Sequence, residues 1–224
     1  HAFEKPAPNL GAEDLELHAE GDATFEAQFV SAPAERNPGL GPQFNNNSCN
    51  SCHIRNGRGM PRVGADGLRS QLLVRVSDPN GEPAQPGGPP AIEEIGTQIQ
   101  DHAVWEAEPE ADIELEWKTV EGEYADGTSY ELRRPVVDIE PTDPEEWPEE
   151  FRTSLRQPPP VHGLGLLEAV PEEAIVRRAD PKDEDGDGIS GRPNRVWSAT
   201  EENSGVLGRF GHKANIPDLL QQTA

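Results

Sequence analysis

The sequence predicts a loop-rich fold of short helices and short β-hairpins, and three observations lead there. Prolines and glycines number 23 and 22 among 224 residues, about a fifth of the chain, so continuous elements are repeatedly interrupted. Apolar and polar residues alternate in the middle of the chain, as in half-buried strands, whereas helix-compatible spacing occurs towards both ends. The hydrophobic share is 33%. With glycine added it approaches the usual globular range, and the chain is long enough to bury a sizeable core.

Taken in order, residues 12–29 place Leu15, Leu17, Phe25 and Phe29 in a polar background, compatible with a short helix. Residues 71–77 read as a strand by their β-branched content, and Asp78-Pro79-Asn80-Gly81 stops it with a turn. Residues 81–90 form a Pro/Gly loop. Residues 113–124 alternate as a half-buried strand, Ala125-Asp126-Gly127-Thr128 reverses the chain, and 129–133 pairs back as a hairpin. Residues 164–170 and 171–178 read as helices, the second opened by Pro171 and two glutamates and closed by Arg177-Arg178. There is no internal repeat.

The net charge of −23 argues against nucleic acid or an anionic membrane as a general partner, because both are polyanions. Only four residues are lysines (Lys5, Lys118, Lys182, Lys213); an acidic, lysine-poor surface is what adaptation to high salt produces. The charge is unevenly spread. Residues 41–76 hold Arg55, Arg58, Arg62, Arg69 and Arg75 against Asp66 alone, whereas 106–150 hold 17 acids against Lys118, Arg133 and Arg134. That second stretch reads as a solvated acidic face, or as a surface for a cationic electron donor. No run of about twenty apolar residues occurs, so no membrane span is expected. The chain opens at His1, from which we expect a removed leader or a start inside a longer precursor.

The most informative stretch is Cys49-Asn50-Ser51-Cys52-His53. Two thiols three positions apart and an imidazole directly after them form the attachment site of a c-type haem. The sulfurs are spaced to form thioethers with the two haem vinyl groups, and His53 on the same side supplies the proximal ring nitrogen to iron. Three other readings were weighed. A structural zinc site needs about four Cys or His ligands, and the chain has two cysteines. A thioredoxin-like pair sits in a βαβ context, whereas here a polar turn precedes the motif. A Cys49–Cys52 disulfide closes so small a loop that it stabilises little. Arg58 and Arg62 are the candidates to pair with the haem propionates. For the distal iron ligand the candidates are His162, presented between Pro158-Pro159-Pro160 and an apolar helix, and His212; an open sixth position is the third option.

A second motif, Asp183-Glu184-Asp185-Gly186-Asp187-Gly188-Ile189, reproduces the first half of an EF-hand calcium loop, with carboxylates at positions 1, 3 and 5 and glycine at 6. Asp183, Asp185, Asp187, Ile189 and Asn194 are the candidate calcium ligands, although Asn194 stands where the loop expects a bidentate glutamate.

Several ordered blocks carry a family resemblance: Gly41-Pro42-Gln43-Phe44-Asn45 before the Cys-x-x-Cys-His motif, Gly57-Arg58-Gly59 after it, Gly96-Thr97-Gln98-Ile99-Gln100-Asp101, Tyr124-Ala125-Asp126-Gly127-Thr128, His162-Gly163-Leu164-Gly165, Asp185-Gly186-Asp187-Gly188, and Leu207-Gly208-Arg209-Phe210-Gly211-His212. Together they resemble the di-haem oxidoreductase family, once labelled thiol oxidoreductases and related to bacterial di-haem cytochrome c peroxidases. The resemblance implies a mainly α, cytochrome-c-like haem domain with long loops and small β-hairpin insertions. It also implies one covalent haem c, a periplasmic or extracellular location and a redox role. Members carry a second Cys-x-x-Cys-His beyond the Gly-Arg-Phe-Gly block, and this chain matches the first-haem part. We therefore expect one haem domain over 1–224, a loop/β insertion over about 78–160, a calcium loop over 183–194, and a second, truncated domain beginning near residue 207. The expected function is electron transfer within a peroxidase-like di-haem protein, partnered by a redox protein or a second haem domain. The alternative is a mono-haem electron carrier.

Overall fold

A computed structural model describes residues 3–63, 70–83, 85 and 88–223; Asp66 and Arg69 of the basic stretch lie outside the described residues. The elements run α1 (Ala12–Glu26), β1 (Gln43–Phe44), α2 (Cys49–Cys52), β2 (Leu73–Ser77), β3 (His102–Ala103), β4 (Ala111–Glu123), β5 (Ser129–Pro141), β6 (Arg152–Arg156), α3 (Leu164–Glu168), α4 (Glu172–Val176), β7 (Arg195–Ser198), β8 (Asn203–Leu207) and α5 (Leu219–Thr223). Among the described residues the strands form four two-stranded sheets, β1 with β3, β2 with β6, β4 with β5, and β7 with β8.

This overturns the expectation of a mainly α, cytochrome-c-like domain. The described residues are 19% helical and 28% strand, with several small antiparallel sheets. The physical reason lies in the punctuation of the sequence. After α1 every helix has four or five residues, too few to propagate the hydrogen-bond ladder far, and Gly163, Pro171 and Pro181 stand between the later ones. The expected small hairpin is instead a pair of 13-residue strands.

The chain divides into two compact units, the first made of His1–Val76 and Ile92–Pro160, the second of Ser77–Ala91 and Val161–Ala224. The first unit holds the main core: Val63, Leu72, Val74, Val76, Ile92, Ile95, Ile99, Ala111 and Ile113 are buried, with Leu115, Val137, Ile139, Trp147, Phe151 and Leu155 packed against them. β2 alternates buried and half-buried residues. The segment that ends in Ile99 lies beside it, with Ile99 N–H donating to Val74 O at 3.0 Å and Val76 N–H to Thr97 O at 3.1 Å.

The β4–β5 hairpin follows its pattern of alternation. Ile113 pairs with Ile139 and Leu115 with Val137 on the face that meets the core, while Asp112 opposes Glu140 and Glu114 opposes Asp138 on the other. Its turn is held by Tyr124 N–H to Thr128 O at 2.9 Å and by Gly127 at φ 87°, a conformation natural to glycine. Beyond Leu115 the hairpin projects into solvent, and Val120 and Leu132 are exposed.

In the second unit, β7 and β8 pair antiparallel with a register shift between Val196 and Trp197, and Val196, Leu207 and Phe210 are buried. Arg209 Nη1 donates to the carbonyls of Val170 at 2.6 Å and Leu167 at 3.3 Å, closing the C-terminal end of α3. Glu168 Oε1 accepts Leu219 N–H at 2.8 Å at the start of α5. No helix among the described residues is long and apolar enough to cross a membrane.

Glu110 leads into β4 and accepts the Gln100 N–H at 2.6 Å. Burial pushes its carboxyl pKa up, the hydrogen bond opposes that, and Glu146 adds to it. The folded state therefore binds this proton more tightly than the unfolded chain does, so the stability it contributes is full below the usual carboxylate range and is lost as pH rises through the folded value. Glu110→Gln keeps the acceptor and removes the charge. It should raise the melting temperature at pH 7, with the difference vanishing near pH 4, as followed by circular dichroism.

Candidate functional site

The attachment motif is a single helical turn held between two neighbours. Ser48 Oγ donates to the carbonyls of Phe25 and Glu26, both at 3.4 Å, tying the end of α1 to the start of α2. Phe29 N–H donates to Asn47 O at 2.8 Å. Within α2, His53 N–H donates to Cys49 O at 2.9 Å, so Cys49, Cys52 and His53 fall on one side of the turn. Both thiols are free; Cys49 is exposed and Cys52 half-buried. Past the motif the backbone turns sharply, with Arg55 at φ 55° and Asn56 at φ 59°. Arg55 N–H is satisfied by Asn50 Oδ1 at 3.1 Å.

The decisive contact comes from far along the chain. His53 Nδ1 lies 2.8 Å from the Pro159 carbonyl oxygen. A carbonyl only accepts, so Nδ1 carries the proton and Nε2 keeps its lone pair, the state a metal ligand requires. Burial pushes the imidazole pKa below its usual value, against the pull of that hydrogen bond, and so favours the neutral ring. The Phe25 ring stands beside it, its centroid 6.3 Å away.

Segment 157–160 is fastened where it is needed. Gly59 N–H donates to Pro158 O at 3.2 Å and Gln157 Nε2 donates to Gly59 O at 2.7 Å. This close approach requires glycine: a Cβ there would stand 2.7 Å from Cys52 O, 2.8 Å from Gln71 O and 3.0 Å from Pro158 Cδ.

Behind Cys52 lies a buried polar network. Asn45 Nδ2 donates to Ile99 O and to Asp101 Oδ1, both at 2.8 Å, and Asn45 Oδ1 accepts Gln98 Nε2 at 2.8 Å. Ser70 Oγ donates to Asp101 Oδ2. His102 Nδ1 is 3.1 Å from Asp101 Oδ1, an ion-pair distance without hydrogen-bond alignment; we take it as an electrostatic contact. Burial raises the Cys52 pKa, with Asn46 and Arg62 lowering it and Cys49 and Asp101 adding to the rise.

The other predicted residues fall as follows. Arg58 is exposed in the loop after the turn, and Arg62 is half-buried with its Nε lacking a hydrogen-bond partner among the described residues. His162 and His212 are exposed in turns of the second unit. In the acidic loop, Asp183 and Asp185 gather with Asp180, ligand atoms within 4.8 Å of one another, the one such cluster of three among the described residues. Asp187 instead accepts Ile189 N–H at 2.8 Å, Ile189 is exposed, and Asn194 donates to the carbonyls of Lys213 and Ala214. The sequence reading missed Asp180, Gly59, Pro159, Asn45, Asp101 and His102. Only the local spacing of Asp180 to the other acids was a signal within reach.

A helical turn carrying two free thiols on one side, with an imidazole locked in its metal-binding tautomer, suits covalent haem. The comparison with known families agrees: the family model described as "Di-haem oxidoreductase, putative peroxidase" matches residues 1–78 and 94–224, and the chain belongs to this family. No curated protein and no solved structure matches it.

Gly59→Ala should cost about 1–3 kcal/mol by forcing apart the Cys52, Gln71 and Pro158 backbones, measured by urea unfolding.

Proposed function

We propose that this chain is an extracytoplasmic c-type cytochrome domain, the electron-transferring part of a peroxidase-like di-haem oxidoreductase. The observation that carries the reading is the His53 Nδ1 contact with the Pro159 carbonyl at 2.8 Å. It gives the imidazole beside two free cysteines the tautomer that iron ligation needs, while burial favours the neutral ring. Cys49 and Cys52 would hold one haem c through thioethers, and His53 Nε2 would be the proximal ligand. Haem iron, when bound, supplies one-electron redox chemistry. Arg58, exposed beside the motif, and the half-buried Arg62 are the proposed propionate partners. His162, with His212 as the alternative, is the proposed distal ligand.

Covalent haem attachment takes place outside the cytoplasm, which supports a periplasmic or extracellular location. The partner is a redox protein or a second haem domain. Optical spectra of the oxidised, dithionite-reduced and peroxide-treated protein test the proposal. A c-type reduced band is expected. A high-spin ferric form altered by peroxide supports the peroxidase-like role, whereas a low-spin form indifferent to peroxide makes the chain an electron carrier. Replacing His53 with Ala should abolish proximal ligation, leaving a five-coordinate or foreign-ligand spectrum.

We also propose that the loop around Asp180, Asp183 and Asp185 binds calcium, supported by the convergence of three carboxylates on one point. At calcium a hundredfold above Kd, wild type should melt about 5–10 °C higher than in chelator. A double Asp183→Ala, Asp185→Ala variant should melt alike in both; equal melting of wild type in both would remove calcium from the account.

A further inference from the structure

Beside the attachment turn lies an open cavity of about 790 Å³, whose polar border is made by Asn46, Asn50, Ser51, Arg62, Gln71 and His102. Arg62, one of the two arginines expected to meet the haem propionates, borders it, and of the amides that line it two leave their nitrogens unpaired among the described residues. Gln71 Oε1 accepts Met60 N–H at 2.8 Å, Asn50 Oδ1 accepts Arg55 N–H at 3.1 Å, and Asn46 Oδ1 accepts Asn47 N–H at 2.9 Å. All three amide oxygens are therefore engaged, and these backbone donors fix which end of each amide is nitrogen. Asn46 Nδ2 is in turn bonded to Ser70 O at 2.9 Å. The nitrogens of Asn50 and Gln71 meet no acceptor among the described residues.

Arg62 adds a guanidinium whose Nε is buried and without a hydrogen-bond partner among the described residues. None of the described residues bordering the cavity is acidic. Asp101, in the polar network behind Cys52, is taken up by Asn45, Ser70 and the His102 contact. Arg62 Nε and the amide nitrogens of Asn50 and Gln71 thus have no acceptor among the described residues, and a buried donor left unpaired, as Arg62 Nε is, is unfavourable. An acceptor-only group of negative charge is their complement, and guanidinium with amide N–H groups is the donor set that binds such groups best.

We propose that this cavity binds an oxyanion of carboxylate or phosphate class between Arg62 and the amide nitrogens of Asn50 and Gln71. The same chemistry has two sources, an anion from solution and a haem propionate. The solution arm stands on the cavity alone, so it remains testable if the haem reading fails.

The test is calorimetric titration of the purified full chain with inorganic phosphate and with acetate, at constant ionic strength, beside measurement of the haem reduction potential. If the anion comes from solution, wild type binds saturably, Arg62→Gln and Asn50→Asp each weaken binding at least tenfold, and Arg62→Lys retains part of it. If a propionate fills the cavity, the haem-loaded wild type takes up no added anion, while Arg62→Gln and Asn50→Asp shift its reduction potential. Asn50→Asp keeps the oxygen that accepts Arg55 N–H and so serves if Arg62→Gln fails to fold. Neither saturable binding nor a shifted potential, or variants that behave as wild type in both assays, would overturn the proposal.

Discussion

The hydrogen bond from His53 to the Pro159 carbonyl is the constraint around which the first unit is organised. An imidazole can ligate iron only through a nitrogen that carries no proton, and in solution its two tautomers exchange freely. Fixing one requires an acceptor held at the other nitrogen. Here that acceptor is 106 residues away in sequence. A proline run suits the task, because its residues have no N–H to satisfy and its backbone is stiff, so its carbonyls are free to accept from elsewhere. Pro158 O receives Gly59 N–H, Pro159 O receives His53 Nδ1–H, and glycine at 59 lets the two backbones approach.

The second support is the polar run just before the motif. Asn45, Asn47 and Ser48 look like an ordinary turn in the sequence, yet each spends its side chain on distant backbone: Asn45 on Ile99, Asn47 on Phe29, Ser48 on the end of α1. Asn45 and Asn47 are buried, and burying polar groups is tolerable only when they are so partnered. The result is a turn fixed from both sides, with α1 and Phe25 on one flank and the Asp101 network on the other. On the outer hairpin face the opposed pairs Asp112 with Glu140 and Glu114 with Asp138 are repulsive at low ionic strength and are screened as salt rises. The core-facing pairs Ile113 with Ile139 and Leu115 with Val137 carry the hairpin against that repulsion.

How much of this was legible in the sequence follows from range. Cys49, Cys52 and His53 were legible because their chemistry depends on spacing within one turn. The strands at 113–124 and 129–133 were legible from alternation, though the hairpin runs further, through Pro135 to Pro141, because in a two-stranded sheet each strand is an edge and tolerates proline. The helices at 12–29, 164–170 and 171–178 were found, but their small share was not. The mainly α expectation came from family likeness, which carries no information on how short each helix is. Pro158-Pro159-Pro160 was read as a stiff presenter of His162, whereas the contact observed is with His53. The calcium loop was expected to use positions 183–194 alone, and the structure instead draws Asp180 in and commits Asn194 to the carbonyls of Lys213 and Ala214. The partners of His53 and Asn194 lie outside any local pattern, whereas Asp180 stands only three residues before Asp183.

The most direct test of the account is a tandem mass spectrum of the proteolytic peptide that spans Cys49 to His53, taken from protein matured in a host that attaches c-type haem. The account predicts one haem bound to that peptide through both sulfurs. A peptide with unmodified thiols, or with a Cys49–Cys52 disulfide, from that same host would contradict it.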